Sequence, residues 1–256
     1  MNESFSGQES PAPQPVSPPQ SVRVAMPSLV PMATYAILGF TVLIYLLQMA
    51  SMAILNGDDL PLMLGARVNE LIRAGQWWRF ITPVFLHGSV THIFFNMYAL
   101  LSLGTLLERH FGHGRFVALY FLGAFAGNVF SFLLTDGYSV GASTAVFGLI
   151  AAEVIFFYQN RKLFGGQAKQ AIGNAAFIIA VNLLIGLSPG IDNWGHVGGL
   201  LGGAMFAWFA GPRWEVAGIF PDFHLEDQRE SREIITGASV ALLVFGALAV
   251  WGLFFK

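Results

Sequence analysis

The chain has 256 residues, of which 55% are hydrophobic and 11% charged, with a mean hydropathy of +0.61 and a net charge of −2. That is more apolar than a water-soluble domain of this size needs for its core. The charge leaves no basic surface for a nucleic acid, and the absence of Cys excludes disulfides, thiolate metal sites and a cysteine nucleophile. Spanning helices take about 20 apolar positions each, so the expectation is one membrane domain in contact with the lipid bilayer.

Residues 1 to about 31 are rich in Pro, Ser and Gln and poor in large apolar groups, and read as a disordered tail. They lack the basic start and apolar stretch of a signal peptide and the Arg-rich amphipathic pattern of a transit peptide. The first apolar run, roughly Tyr35 to Leu55, is therefore a span that stays in the protein. A long connection, 56–90, mixes Asp58, Asp59, Arg67, Glu70, Arg73 and Arg79 with Trp77, Trp78, Phe80 and Phe85; charges interleaved with aromatics suit the headgroup level of a bilayer. Further spans are expected at 90–107, 117–134, 142–158, 171–187, 194–210 and 234–255, making about seven by hydropathy. The predicted architecture is all-α and polytopic. It has a six-helix core over 32–212 with the loop 56–90 at the interface, a cytoplasmic loop over 213–233, and a seventh helix over 234–256.

Basic residues set the orientation. Connections after the second, fourth and sixth spans carry Arg109 and Arg115, then Arg161, Lys162 and Lys169, then Arg213, Arg229 and Arg232, whereas those after the third and fifth carry none. By the positive-inside rule the N-terminus is cytoplasmic; the long loop, with its mixed charges, is the exception. The markers also give depth. His92 lies about 17 residues before Arg109, Ser143 about 18 before Arg161 and His196 about 17 before Arg213, which at a helical rise of about 1.5 Å puts all three ~25 Å above the cytoplasmic end. They share one level, a few Å below the outer surface, with Asn96 one turn further in. Polar side chains at that depth belong in the bundle interior or a water-filled cavity.

Those residue types suit nucleophilic chemistry. A serine hydroxyl needs a base to take its proton, and His serves at neutral pH. The oxyanion formed on attack needs aimed donors. Ser143 at a helix start has orphan backbone N–H groups beside it, and His92 and Asn96, spaced i and i+4, share a helical face. Phe147 stands one turn below Ser143, within reach of the His196 ring. Gly195, Gly199 and Gly203 form a GxxxG stripe for close helix approach.

Gly141-Ala142-Ser143, His92-Ile93-Phe94-Phe95-Asn96, Gly195-His196-Val197-Gly198-Gly199 and Trp78-Arg79 together resemble the rhomboid family of intramembrane serine proteases. The resemblance runs from about Trp77 to Trp208, with Glu108-Arg109, Gly112 and Tyr120 also matching. It implies Ser143 as nucleophile, His196 as general base, and His92 and Asn96 with the Ser143 N–H around the oxyanion; Phe147, Gly141 and Gly199 support the site. It implies membrane-anchored protein substrates cut near the outer face, no cofactor and no metal, no third carboxylate, and a prokaryotic plasma (inner) membrane. Members with an extra helix after the core would account for 234–255. One position departs: Gly most often follows the serine in active members, and here Thr144 does, a β-branched residue that stiffens the turn and narrows the approach to the oxyanion site.

Simpler readings stand beside these. A serine at a helix start is ordinarily an N-cap, and a lone His on an apolar helix is ordinarily structural. Trp78 and Arg79 serve equally as an interfacial anchor or a substrate contact, Glu108 pairs with a nearby Arg, and Glu153 has no nameable partner. His110 and His113 lack the ligand set for a metal. Two other functions remain in view: a catalytically silent client-binding relative, which rests on Thr144, and a transporter with a proton relay, which would spread ionisable groups through the membrane depth.

Overall fold

A computed structural model describes Val24 and residues 29–219 and 221–256; the tail expected over residues 1–31 lies almost wholly outside them. The chain opens with α1 (Met32–Ile54). The connection that follows folds into α2 (Leu60–Gly65), β1 (Arg67–Val68), α3 (Asn69–Arg73) and two 3₁₀ turns, Trp77–Phe80 and Thr82–Phe85. A second long helix runs from Val90 to Phe111 as α4 (Val90–Ala99), a π-helical stretch Leu100–Gly104 and α5 (Thr105–Phe111). Then come α6 (His113–Leu134), β2 (Tyr138–Ser139), α7 (Ser143–Gln159), the single turn α8 (Arg161–Phe164), α9 (Gly166–Ile185) and α10 (Asn193–Ala210). The hairpin β3 (Trp214–Ile219) and β4 (Asp222–Asp227) leads into α11 (Ser231–Phe255).

Among the described residues five helices are long and apolar enough to cross a membrane: α1, Val90–Phe111, α6, α9 and α11. The runs expected to span at 142–158 and 194–210 do form helices, but α7 has only 17 residues and α10 is diluted by Asn193, His196 and its glycines. These two are enclosed by the rest: α10 packs along α6 and α7, while α9 and α11 cover the outside. An interior helix is solvated by protein and needs no lipid-grade hydropathy.

The all-α expectation needs a second correction, because two small antiparallel ladders are present among the described residues. β1 pairs β2 with Arg67 opposite Ser139, and β3 pairs β4 where a loop was expected. The hairpin follows from alternation of polar and apolar residues, as in Phe223-His224-Leu225-Glu226, next to a Pro221 turn; it is too short and too polar for a hydropathy window to register.

Polar anchors hold the periphery to this core. Glu108, fully buried, accepts from the backbone N–H groups of Ala33 and Thr34 at 2.8 and 2.7 Å and from the Thr34 hydroxyl at 2.6 Å, and also contacts His113. The expected arginine partner is thus replaced by the start of α1. The N-cap there is Pro31, which makes no side-chain cap, so the orphan donors and the positive helix end take the carboxylate. Arg79, 2% exposed, donates to the carbonyls of Ala66 and Met63 at 2.5 and 2.7 Å. It ties the long connection together instead of facing a substrate, while Trp78 stays exposed and donates to Leu64 O.

Candidate active site

Three helix starts converge. His92 lies in the first turn of α4, Ser143 is the first residue of α7, and His196 lies in the first turn of α10. All three line one cavity of about 660 Å³ that also takes in Gly88, Ser139, Val140 and Asp192. His196 Nε2 stands 3.0 Å from Ser143 Oγ. The imidazole is stacked on Phe147, with centroids 4.1 Å apart and planes within 8°, because Ser143 and Phe147 are one turn apart on α7. The N-cap of α7 is Ala142 and not Ser143, and the Ser143 hydroxyl is engaged by His196, so the N-cap reading does not describe it.

The segment entering Ser143 is fixed atom by atom. Gly141 has φ of 127°, a conformation open essentially to glycine, and a Cβ there would lie 2.7 Å from His92 Nε2. Its N–H donates to Pro83 O at 2.9 Å. The next N–H, of Ala142, donates to Nε2 of His87 at 3.4 Å. His87 is a residue the sequence reading missed. It is 2% exposed, and its own backbone is gripped by Gln48 of α1, whose Oε1 accepts from His87 N at 3.0 Å and whose Nε2 donates to Asp59 at 2.7 Å. Burial, then the neighbouring His92, push the His87 pKa down to about 3. The ring is therefore neutral near pH 7 and keeps an acceptor for Ala142 N–H. A buried Gln in the apolar run of α1 was the available signal, since such a side chain must find partners.

Asn96 is buried but off the cavity wall, and its Nδ2 donates to His92 O at 3.0 Å. Thr144 also faces away. Its side chain fills the seam where Gly127 of α6 and Gly195 of α10 approach, and its hydroxyl is buried without a partner among the described residues, so the β-branch does not narrow the cavity. Beneath it, a Cβ at Gly199 would overlap the Thr144 carbonyl oxygen, and one at Gly203 would overlap Gly148. The glycine stripe is what lets α10 lie against α7.

Asp192 lies near Ser143 and His196 but bonds to neither. Its Oδ1 accepts from Gly195 N at 3.0 Å and from Thr135 Oγ1 at 2.8 Å, its other oxygen takes the Ser131 hydroxyl, and His196 Nδ1 has no partner among the described residues. Burial alone would raise its pKa; bonds from Ser131, Ser139, Gly195 N–H and Thr135 outweigh that and leave it below the usual carboxylate value. Among the described residues no group of three or more His, Asp or Glu is arranged to hold a metal ion.

A family profile described as Rhomboid domain matches residues 74–213, more than half of the chain and slightly beyond the stretch marked by the sequence motifs. The chain belongs to the rhomboid family. It is similar to Rhomboid protease GluP of Bacillus subtilis (strain 168), 39% identical over 175 residues that cover 68% of this chain and 34% of that protein. RHOMBOID-like protein 9, chloroplastic, of Arabidopsis thaliana is 35% identical over 155 residues, 60% of this chain and 36% of the relative. Rhomboid-like protease 1 of Toxoplasma gondii is 37% identical over 143 residues, 54% of this chain and 49% of the relative. The chain spans about a third of the length of the first two. Family and apolar helices together make this rhomboid an integral, multi-pass membrane protein.

Proposed function

We propose that this rhomboid is an intramembrane serine endopeptidase that cleaves membrane-anchored segments near the outer membrane face. The observation that carries the reading is the 3.0 Å approach of Ser143 Oγ to His196 Nε2, on a ring fixed by Phe147, at the wall of a cavity. Ser143 Oγ attacks the scissile carbonyl carbon as His196 Nε2 takes its proton. The oxyanion is met by the Ser143 N–H, one of the orphan donors of α7, with His92 and the second amide hydrogen of Asn96 as side-chain donors. Collapse breaks the C–N bond, the amine leaves with the proton from His196, and a water activated by the same imidazole hydrolyses the acyl-enzyme. A helical peptide bond is shielded by its own hydrogen bonds, so substrates with helix-breaking residues are favoured, and the family resemblance implies a small residue at the cut.

In the same reading α7 and α10 complete a six-helix core, α11 is the seventh crossing, the connection 56–90 lies at the interface, and the N-terminus is cytoplasmic in a prokaryotic plasma membrane. The silent-relative reading draws no support from Thr144, whose side chain points away from the cavity. The test is cleavage of a single-pass substrate and labelling by a fluorophosphonate in detergent. Wild type should label at Ser143, and Ser143→Ala and His196→Ala should each reduce cleavage to background while remaining folded, since the two act as a unit. Cleavage retained by Ser143→Ala ends the proposal.

A further inference from the structure

His196 has three possible supports, and the structure supplies two directly: the Phe147 stack and the Ser143 contact. Its Nδ1 is buried and bonds to no side chain or backbone group among the described residues, so the remaining protein support is the backbone of the first turn of α10. Two side chains anchor that turn: Asn193, whose Nδ2 donates to Leu183 O of α9 at 3.1 Å, and Asp192. Asp192 caps it through Gly195 N–H, the peptide N–H immediately before His196. The same carboxylate reaches across to Ser131 and Thr135 at the end of α6, and shares the cavity wall with Ser139 of β2, the strand that leads into Gly141 and Ser143. Thr135 is itself tied down, since its carbonyl accepts from Arg67 Nη1 and Asn69 Nδ2, both at 3.2 Å, and β1 pairs with β2 at Arg67 and Ser139. Through Thr135 and the β1–β2 pairing, one carboxylate therefore connects the turn that carries His196 to the strand that leads into Ser143.

We propose that Asp192 is a positioning residue, whose carboxylate clamps the first turn of α10 to the end of α6, and through it to β2, and thereby holds the His196 ring in line with Ser143 Oγ. The proposal deepens the protease reading and rests on it. It assigns Asp192 no proton and no contact with the reacting atoms; the carboxylate works as an acceptor. Asn at this position keeps an oxygen for Gly195 N–H and offers an amide to the Ser131 hydroxyl, whereas Ala removes the cap. Displacements of about 1 Å in a reacting pair cost on the order of 10²-fold.

The test compares Asp192→Ala, Asp192→Asn and Thr135→Val, with kcat and KM normalised to folded protein and the His196 ring ¹⁵N shifts assigned against His196→Gln. Asp192→Ala should lose about 10- to 100-fold in kcat with KM within about twofold and should move the His196 ring resonances. Asp192→Asn should stay within about threefold of wild type, and Thr135→Val should fall between. A kcat per folded molecule for Asp192→Ala within twofold of wild type overturns the assignment, as does Asp192→Asn falling as far as Asp192→Ala, which would mean that charge and not capping is at work. If wild type neither cleaves nor labels, the protease reading fails by itself. The ring shifts then decide: unchanged resonances in Asp192→Ala refute positioning, and shifted ones uphold it.

Discussion

The helices α1, α9 and α11 and the trio α6, α7 and α10 solve opposite problems with the same kind of sequence. In the outer set only 17, 11 and 22% of the most apolar window is buried inside the protein, against 67% for α6. The outer helices are read by lipid, so their hydropathy is high and their detailed packing matters little. The inner ones are read by each other, so small residues replace large ones, and α7 and α10 fall short of a span by length or composition. All of the proposed chemistry sits on or beside the inner set. Polar groups and glycines are tolerated there because protein, not hydrocarbon, surrounds them.

The same substitution made in both sets should give the widest split. Gly199→Ala and Gly203→Ala put a Cβ against backbone atoms of Thr144 and Gly148, which cannot swing away as a side chain would. Each should cost about 3 kcal/mol, the upper part of the overpacking range, or prevent folding. Gly39→Ala in α1, Gly173→Ala in α9 and Gly246→Ala in α11 meet nothing within 4 Å and should change stability by under about 1 kcal/mol, in the stabilising direction. Unfolding in detergent or bicelles measures both groups, and equal effects would dissolve the distinction.

A second matched pair separates structure from chemistry. Asn96 and Asn182 make the same local bond, Nδ2 to the carbonyl four residues back, at 3.0 Å to His92 and 2.9 Å to Ile178. Asn96 is buried beside the cavity residues, while Asn182 is exposed on α9. If the second amide hydrogen of Asn96 serves the oxyanion, Asn96→Ala should lose about 10²-fold in kcat, and Asn182→Ala should stay within about twofold. Single-turnover acylation rates on one substrate decide it; a loss in Asn96→Ala that appears only in the folded fraction would reduce the residue to a helix support.

How much of this was legible depended on which solvent reads a residue. The outer helices were plain from hydropathy alone, and the common level of His92, Ser143 and His196 followed from helical rise and basic end-markers, since each sits at a helix start that the sequence also marks with polar residues. Three things were hidden. Glu108 was assigned an arginine by proximity in sequence, but its partner is the start of α1, 75 residues away for Ala33, and no local pattern carries that. His87 and Gln48 are joined by a loop fold that periodicity does not describe. The hairpin β3–β4 was lost because a window wide enough to find spans averages over six-residue strands.

Thr144 gives the smallest effect and the closest test of how the inner set is built. The residue after the nucleophile looked like an obstruction when only its β-branch was known. Its methyl, however, packs where Gly127 and Gly195 make room, 3.2 Å from where a Cβ at Gly195 would lie, and its hydroxyl is buried with no partner among the described residues. A buried unpaired hydroxyl costs on the order of 1–3 kcal/mol relative to a methyl of the same shape. Thr144→Val should therefore stabilise the protein by about 1 kcal/mol, raising Tm by roughly 2–4 °C, with turnover within about twofold because no cavity atom changes. Thr144→Gly should do the reverse, emptying the seam and loosening the first turn of α7, and should lower Tm without raising activity. Fluorophosphonate labelling that rises tenfold or more in Thr144→Gly, with Thr144→Val unchanged, would show that the β-branch restrains the site after all and would restore the silent-relative reading of the wild-type chain.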